Sequence, residues 1–200
     1  MTKYFNLPAS NYEILCRIIS ACALFQDRLV FSKIAENCQF DLVVVLGNIG
    51  FLVSVGIVQG GMSKSLTANG KSLASAICIN DPENIKECWN RIFSECAATR
   101  SIATHLEINK RTLKSILIHR IALALGVTLN PQNQSKMNQL LGVFEALEIL
   151  RNEDGEYVFM NFEQKIIHFR SNNPSYSEES NWTRPTAGGS GRADFFDIVP

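Results

Sequence analysis

Apolar residues recur at helical spacing through most of the first 160 positions, with short polar breaks between the runs. From Asn11 to Phe25, Ile14, Leu15, Ile18, Ile19 and Ala23 share one face, and Asn11 is suited to cap the helix that this predicts. FSKIAENC predicts a second helix from Phe31, with Ser32 or Asp27 near its start, and Asp41 is placed to cap a third. That third helix, beginning LVVVLGNIGFLV, is apolar almost all round, which is the pattern of a buried helix. Further on, helices are expected near residues 83–106 and 110–126 and from about Ser135 to Leu150. Asn152-Glu153-Asp154-Gly155, between Ile149-Leu150 and Tyr157-Val158-Phe159, predicts a β-hairpin.

The two halves are alike. At an offset of 92 residues, Ile49–Gly61 aligns with Leu141–Gly155: Ile49 with Leu141, Gly50 with Gly142, Leu52 with Phe144, Val55 with Leu147, Ile57 with Ile149 and Val58 with Leu150. Apolar positions meet apolar positions at helical spacing, and both segments then run into a short strand and a turn.

FSKIAENCQFDLVVVLGNIGFLVSVGIVQGGMSKSLTANGKSLASAI resembles the winged helix-turn-helix pattern. In that pattern a short helix carries Ile-Ala, a third helix ends in a strand, and the wing returns through a signature seen here as Leu66-Thr67-Ala68-Asn69-Gly70-Lys71-Ser72-Leu73-Ala74. SKMNQLLGVFEALEILRNEDGEYVFMN resembles it again, so the likeness spans roughly residues 10–165 and implies a fold rather than a function. Two registers compete in the second half. Ser101–Leu117 fits helix-turn-helix spacing, with Ile102, Ala103, Leu106, Ile108, Leu113 and Ile116 inward; Ile121–Thr128 fits the short-helix pattern as well. A wing must follow the third helix, which favours Ser135–Leu150 in that place. The expected fold is mainly α with small β-hairpins: tandem winged helix-turn-helix modules at 1–80 and 81–170, then a flexible tail at 171–200 with an apolar-acidic tip.

Composition narrows the function. The chain is 46% hydrophobic and 19% charged with zero formal net charge, so it lacks the basic excess of a dedicated nucleic-acid binder. All six cysteines, Cys16, Cys22, Cys38, Cys78, Cys88 and Cys96, precede the three histidines and form no CxxC pair. Neither zinc nor a disulfide framework is therefore expected, and a reduced, cytoplasmic setting fits. Gly70-Lys71-Ser72 ends like a phosphate-binding loop, but Ser65 stands where the first glycine of that motif belongs. Leu66 and Leu73 are expected in the core, with Asn69 or Gly70 turning the chain. Leu42–Ser63 has no charged residue, yet only about 17 residues precede its Gly-Gly break, short of the ~20 that a membrane span needs. No catalytic motif and no cofactor site is expected: His105 and His119 have no evident acidic partner, and Glu153, Asp154 and Glu156 crowd a hairpin tip.

The outward faces of the two third helices separate the remaining classes. In the second half Ser135, Lys136, Asn138 and Gln139 face outward, types that contact base edges, while Lys110, Arg111 and Lys114 stand at the preceding helix start to hold phosphates. The wing beside them is acidic, which opposes DNA. In the first half the outward positions are Val43, Val44, Leu46 and Gly47, calling for a cover: the second module, another copy of the chain, or a partner. Asn48 falls at a core position without an explanation. Near the C-terminus, Asp194-Phe195-Phe196-Asp197-Ile198-Val199 follows a Ser/Asn/Pro/Gly-rich stretch and suits a short docking peptide, with Phe195, Phe196 and Ile198 as its apolar contacts. These features favour a non-enzymatic adaptor in a multi-protein assembly acting on or near DNA, of chromosome-maintenance or defence type. It would take a protein partner or a second copy, with no membrane and no small-molecule substrate. A sequence-specific transcriptional regulator on double-stranded DNA is the alternative.

Overall fold

The computed structural model describes residues 5–25, 28–107 and 111–160. They form a mainly helical protein with one small antiparallel sheet. The helices are α1 (Tyr12–Cys22), α2 (Phe31–Cys38), α3 (Leu42–Ser54), α4 (Ala68–Cys78), α5 (Pro82–Glu95), α6 (Ala97–Glu107), α7 (Lys114–Leu125) and α8 (Pro131–Ala146). Strands β1 (Arg111–Leu113), β2 (Leu150–Glu153) and β3 (Glu156–Phe159) pair in the order β1-β3-β2. Among the described residues no single helix is long and apolar enough to cross a membrane: α3 ends at Ser54, and it meets α2 at 111°.

Local chemistry sets the element ends. Asn11 caps α1 by accepting from the Ile14 N–H at 3.0 Å, as its sequence position predicts. Asp41 occupies the N-cap of α3, and Val30 that of α2, without a side-chain cap bond; Ser32 lies inside α2 and Asp27 outside the described residues. Helix α8 starts four residues before the expected Ser135, because Asn130 caps it through the Asn133 N–H at 2.8 Å and Pro131 fits its first turn. The stretch 83–106 is two helices, broken where Cys96 takes an extended conformation. At the hairpin tip Asp154 and Gly155 both have positive φ, 53° and 85°, as a two-residue turn between twisted strands requires.

The sequence repeat is a structural repeat. On α3 and α8 the buried positions 45, 48, 49, 51, 52 and 55 recur at 137, 140, 141, 143, 144 and 147, an offset of 92 throughout. Both helices end alike: Ile57 N–H donates to the Leu52 carbonyl at 2.9 Å, and Ile149 N–H to that of Phe144 at 2.8 Å. Helices α2 and α7 close on left-handed residues, Gln39 and Gly126, with the same following bond, Phe40 to Ala35 and Val127 to Ala122. On α1 the buried positions 15, 18, 19 and 22 reappear on α6 as 99, 102, 103 and 106. Even the sheet is echoed. Leu29 N–H donates to the Lys64 carbonyl at 2.8 Å and Val58 bridges Leu66, isolated contacts that repeat the order of the β1-β3-β2 sheet, where Thr112 faces Tyr157 and Leu150 faces Phe159.

Helices α4 and α5, which follow the first repeat and precede the second in the chain, pack on each other, and α4 also packs on α1. Tyr12, Trp89, Phe93 and Phe144 form a file of aromatic rings with centroids 6.4, 5.1 and 5.4 Å apart, linking α1 through α5 to α8 within one hydrophobic cluster. The SLTANGKS segment starts α4 rather than turning the chain. Thr67 caps the helix through the Gly70 N–H at 3.0 Å and donates its hydroxyl to the Gly56 carbonyl at 2.6 Å. Leu66 and Leu73 are buried, as expected, and Lys71 is exposed. Gly70 lies inside the helix, and its glycine has a steric cause: a Cβ there would stand 2.1 Å from the Ile57 carbonyl oxygen.

Candidate functional site

Helix α8 buries Met137, Leu140, Leu141 and Phe144 and leaves Ser135 and Asn138 exposed, with Lys136 and Gln139 partly so. Its outward face therefore has the expected residues. The basic cluster beside it does not assemble as expected. Arg111 lies on strand β1, not at a helix start, because β3 needs an edge partner and Thr112 is buried opposite Tyr157. The Arg111 guanidinium pairs with Glu153 and stands 3.7 Å from Glu156, so the acidic hairpin occupies the cation proposed for phosphate. Arg151 approaches Glu153 at 3.9 Å on the same sheet. Lys114 is exposed at the first residue of α7, whereas Lys110 lies outside the described residues. Tyr157 anchors the sheet to α8 by donating to Glu145 at 2.6 Å; burial first, and that bond second, push its phenol up to about 12.

Helix α3 has a different neighbour. Residues 5–10 run along it as an arm, and Asn48, fully buried, holds them. Its carbonyl oxygen accepts from the Ala9 and Ser10 N–H groups at 3.0 and 3.1 Å, and its amide donates to the Ser10 hydroxyl and the Val44 carbonyl, both at 2.8 Å. Four bonds satisfy this side chain in full, which accounts for an amide where α8 carries Leu140. Farther along, Asn6 N–H donates to Ser54 Oγ at 3.0 Å, Phe5 meets Phe51 edge-on at 6.0 Å, and Leu7 is buried. Gly47 and Gly50 admit the arm: a Cβ on Gly47 would lie 3.4 Å from Ala9 Cβ, and one on Gly50 3.2 Å from Asn6 Cγ. The only advance sign of this arm is a polar residue at a buried phase between two glycines.

The arm covers one side of α3 and leaves the other bare. Leu42, Val43 and Leu46 are 42%, 79% and 48% exposed, and Val44 is half-buried. A cover supplied by the second unit is thereby ruled out among the described residues. Met62, at the tip of the Val58–Leu66 hairpin, is fully exposed, and a Cβ on Gly60 of that hairpin would lie 3.6 Å from the Val53 side chain of α3. Phe195, Phe196 and Ile198 lie outside the described residues.

The six cysteines are free thiols, with Cys22 pushed up to about 12 and Cys16 to about 11, each chiefly by burial. No group of three or more His, Cys, Asp or Glu side chains that could hold a metal ion occurs among the described residues. His119 Nδ1 lies 2.9 Å from the Ser115 carbonyl, one turn back on α7. Comparison with protein-family models, curated proteins and solved structures gives no match.

Asn48→Ala is expected to destabilise the protein by about 2 kcal/mol, since it removes a fully buried side chain and the four hydrogen bonds by which it holds the arm. Limited proteolysis should then cut residues 5–10 much faster than in the parent chain. An unchanged cleavage rate would show that Phe5 and Leu7 alone hold the arm.

Proposed function

We propose that the chain is a non-catalytic adaptor built from two winged-helix units, which grips a protein through α3 of its first unit. The winged-helix assignment is supported by the helix-strand-helix-helix-hairpin order from α6 to β3, by the sheet order β1-β3-β2, and by the reduced copy of both in residues 12–66. The observation that carries the binding role is the bare apolar side of α3. Leu42, Val43 and Leu46 lie on adjoining turns with a solvent-facing area on the order of a few hundred Å², the size at which a patch on a soluble protein is commonly functional. On a winged helix that surface would ordinarily enter a DNA groove, which needs donors, acceptors or cations; three aliphatic side chains supply none. An assembly acting on or near DNA is the setting proposed for such an adaptor.

The experiment compares the parent chain with Val43→Asp/Leu46→Asp. Proteins that co-purify in fixed stoichiometry with the parent, or a dimer seen by light scattering, should be lost in the variant while its melting temperature stays within a few degrees. Retention of the complex would sink the proposal. The alternative, a regulator reading duplex DNA with α8, is favoured by one observation: Ser135, Lys136, Asn138 and Gln139 reach solvent on a helix with no acid before Glu145. It expects submicromolar duplex binding that falls steeply with salt and weakens on Lys136→Ala. The adaptor expects nothing tighter than the ~10⁻⁴–10⁻⁶ M of nonspecific contact.

A further inference from the structure

A groove of about 410 Å³ opens between α1, α2 and α4, on a surface separate from the α3 face. Ala21, Leu24 and Ile77 give it an apolar lining, and Leu24 is 65% exposed. One cation is fixed at its edge. Arg17 donates to the Cys38 carbonyl at 2.8 Å and lies 4.4 Å over the centre of the Phe40 ring. The guanidinium is thus oriented before any ligand arrives, which lowers the entropy lost on binding. It makes no ion pair with a described carboxylate; Glu13, one turn away and also lining the groove, is beyond 4 Å. The groove therefore combines apolar area with a prepared anion contact, and Glu13 confines an incoming carboxylate to the Arg17 side.

We propose that this groove is the docking site of the chain's own segment Asp194–Val199. That segment has the complementary chemistry: Phe195, Phe196, Ile198 and Val199 for the apolar lining, and Asp194 or Asp197 for Arg17. Helix α3 itself carries no Lys or Arg, so the acidic residues favour the groove. Reach is ample. Residues 161–193 join the last described residue to the segment, and a chain of that length can reach up to roughly 100 Å when extended. A body of this size has a radius of gyration of about 15 Å. Such a tether gives an effective concentration near ~1 mM, so a peptide contact of only ~100 µM would fill the groove about ten times as often as it leaves it empty.

Cys78 lies at the groove, is exposed, and reports occupancy, while the segment itself contains no cysteine. Its maleimide labelling rate is read by mass spectrometry on the full chain. Phe195→Ser/Phe196→Ser should raise the rate roughly tenfold, as the occupancy estimate implies. Asp194→Asn/Asp197→Asn, which leaves the groove untouched, and Arg17→Met should raise it as well, and a synthetic Ala193–Pro200 peptide should restore protection to the double-serine variant. Equal rates in the parent and the double-serine chain would overturn the proposal. So would a parent rate that falls over about a hundredfold rise in protein concentration, because the protecting segment would then belong to a second copy. Neither outcome depends on Val43 or Leu46, so the groove and the adaptor surface succeed or fail separately.

Discussion

Gly70→Ala is expected to cost about 3 kcal/mol or more of folding stability, a large part of what a domain of this size possesses. In an exposed helix the same change usually helps, by up to ~1 kcal/mol, because alanine loses less backbone entropy. Here the sign reverses. The new Cβ would stand 2.1 Å from the Ile57 oxygen and 3.1 Å from its carbonyl carbon, and both are backbone atoms that cannot rotate away. The Ile57 carbonyl is also held in place, accepting from the Thr67 N–H at 3.0 Å. Relief requires α4 to part from the strand, breaking the Thr67 cap with it. Gly142→Ala is the control: Gly142 is inside α8 and a Cβ there would have nothing within 4 Å, so that variant should gain about 0.5–1 kcal/mol. Urea unfolding of the two variants beside the parent checks both signs. A neutral Gly70→Ala would mean that α4 can part from the Ile57 carbonyl without loss of stability.

Phe93→Ala is the second large loss, about 3–5 kcal/mol, as for other buried phenylalanines. Phe93 is fully buried between Trp89 and Phe144, so truncation opens a cavity and severs the aromatic file at its middle. With roughly 2–4 °C per kcal/mol for a body of this size, the melting temperature should fall by roughly 6–20 °C. The form of the transition matters as much as its midpoint. Because the file and the surrounding core join both units, calorimetry of the parent chain should give one transition whose van't Hoff and calorimetric enthalpies agree. Two resolved transitions in the parent would show that α5 does not couple the units.

What the sequence disclosed depended on whether a segment's own chemistry decided its structure. The α8 core positions and the Asp154-Gly155 hairpin were legible, since period 3.6 and a two-residue turn with positive φ are local requirements. Arg111 was not. Arg-Thr-Leu has no strand signal of its own and becomes β1 only because β3 presents an open edge to Thr112. Gly70 suggested a turn because glycine marks turns, whereas its cause is a carbonyl thirteen residues earlier in the chain. The arm over α3 was likewise hidden: residues 5–10 have no periodicity, and Asn48 finds its partners about forty positions away. For the candidate surfaces, the outward residues of α3 and α8 could be read from helix phase, but the groove around Arg17 required three helices to meet.

The offset of 92 between α3 and α8 makes the protein its own reference. A substitution on one helix has a mirror position on the other with equivalent backbone geometry and a different environment, so context can be varied while local conformation is held constant. The residue just past each helix shows how sharply. Gly56 and Glu148 share a left-handed backbone, φ 79° and 56°, at the same place in the two units. Glycine adopts it freely, while glutamate does so at a cost of about 1–2 kcal/mol. At that position in the second unit the glutamate ties α5 to the end of α8 through Lys86 at 2.9 Å. Exchanging the two residues would weigh a tether against a strain within one molecule, under one set of solution conditions and with no second protein for comparison.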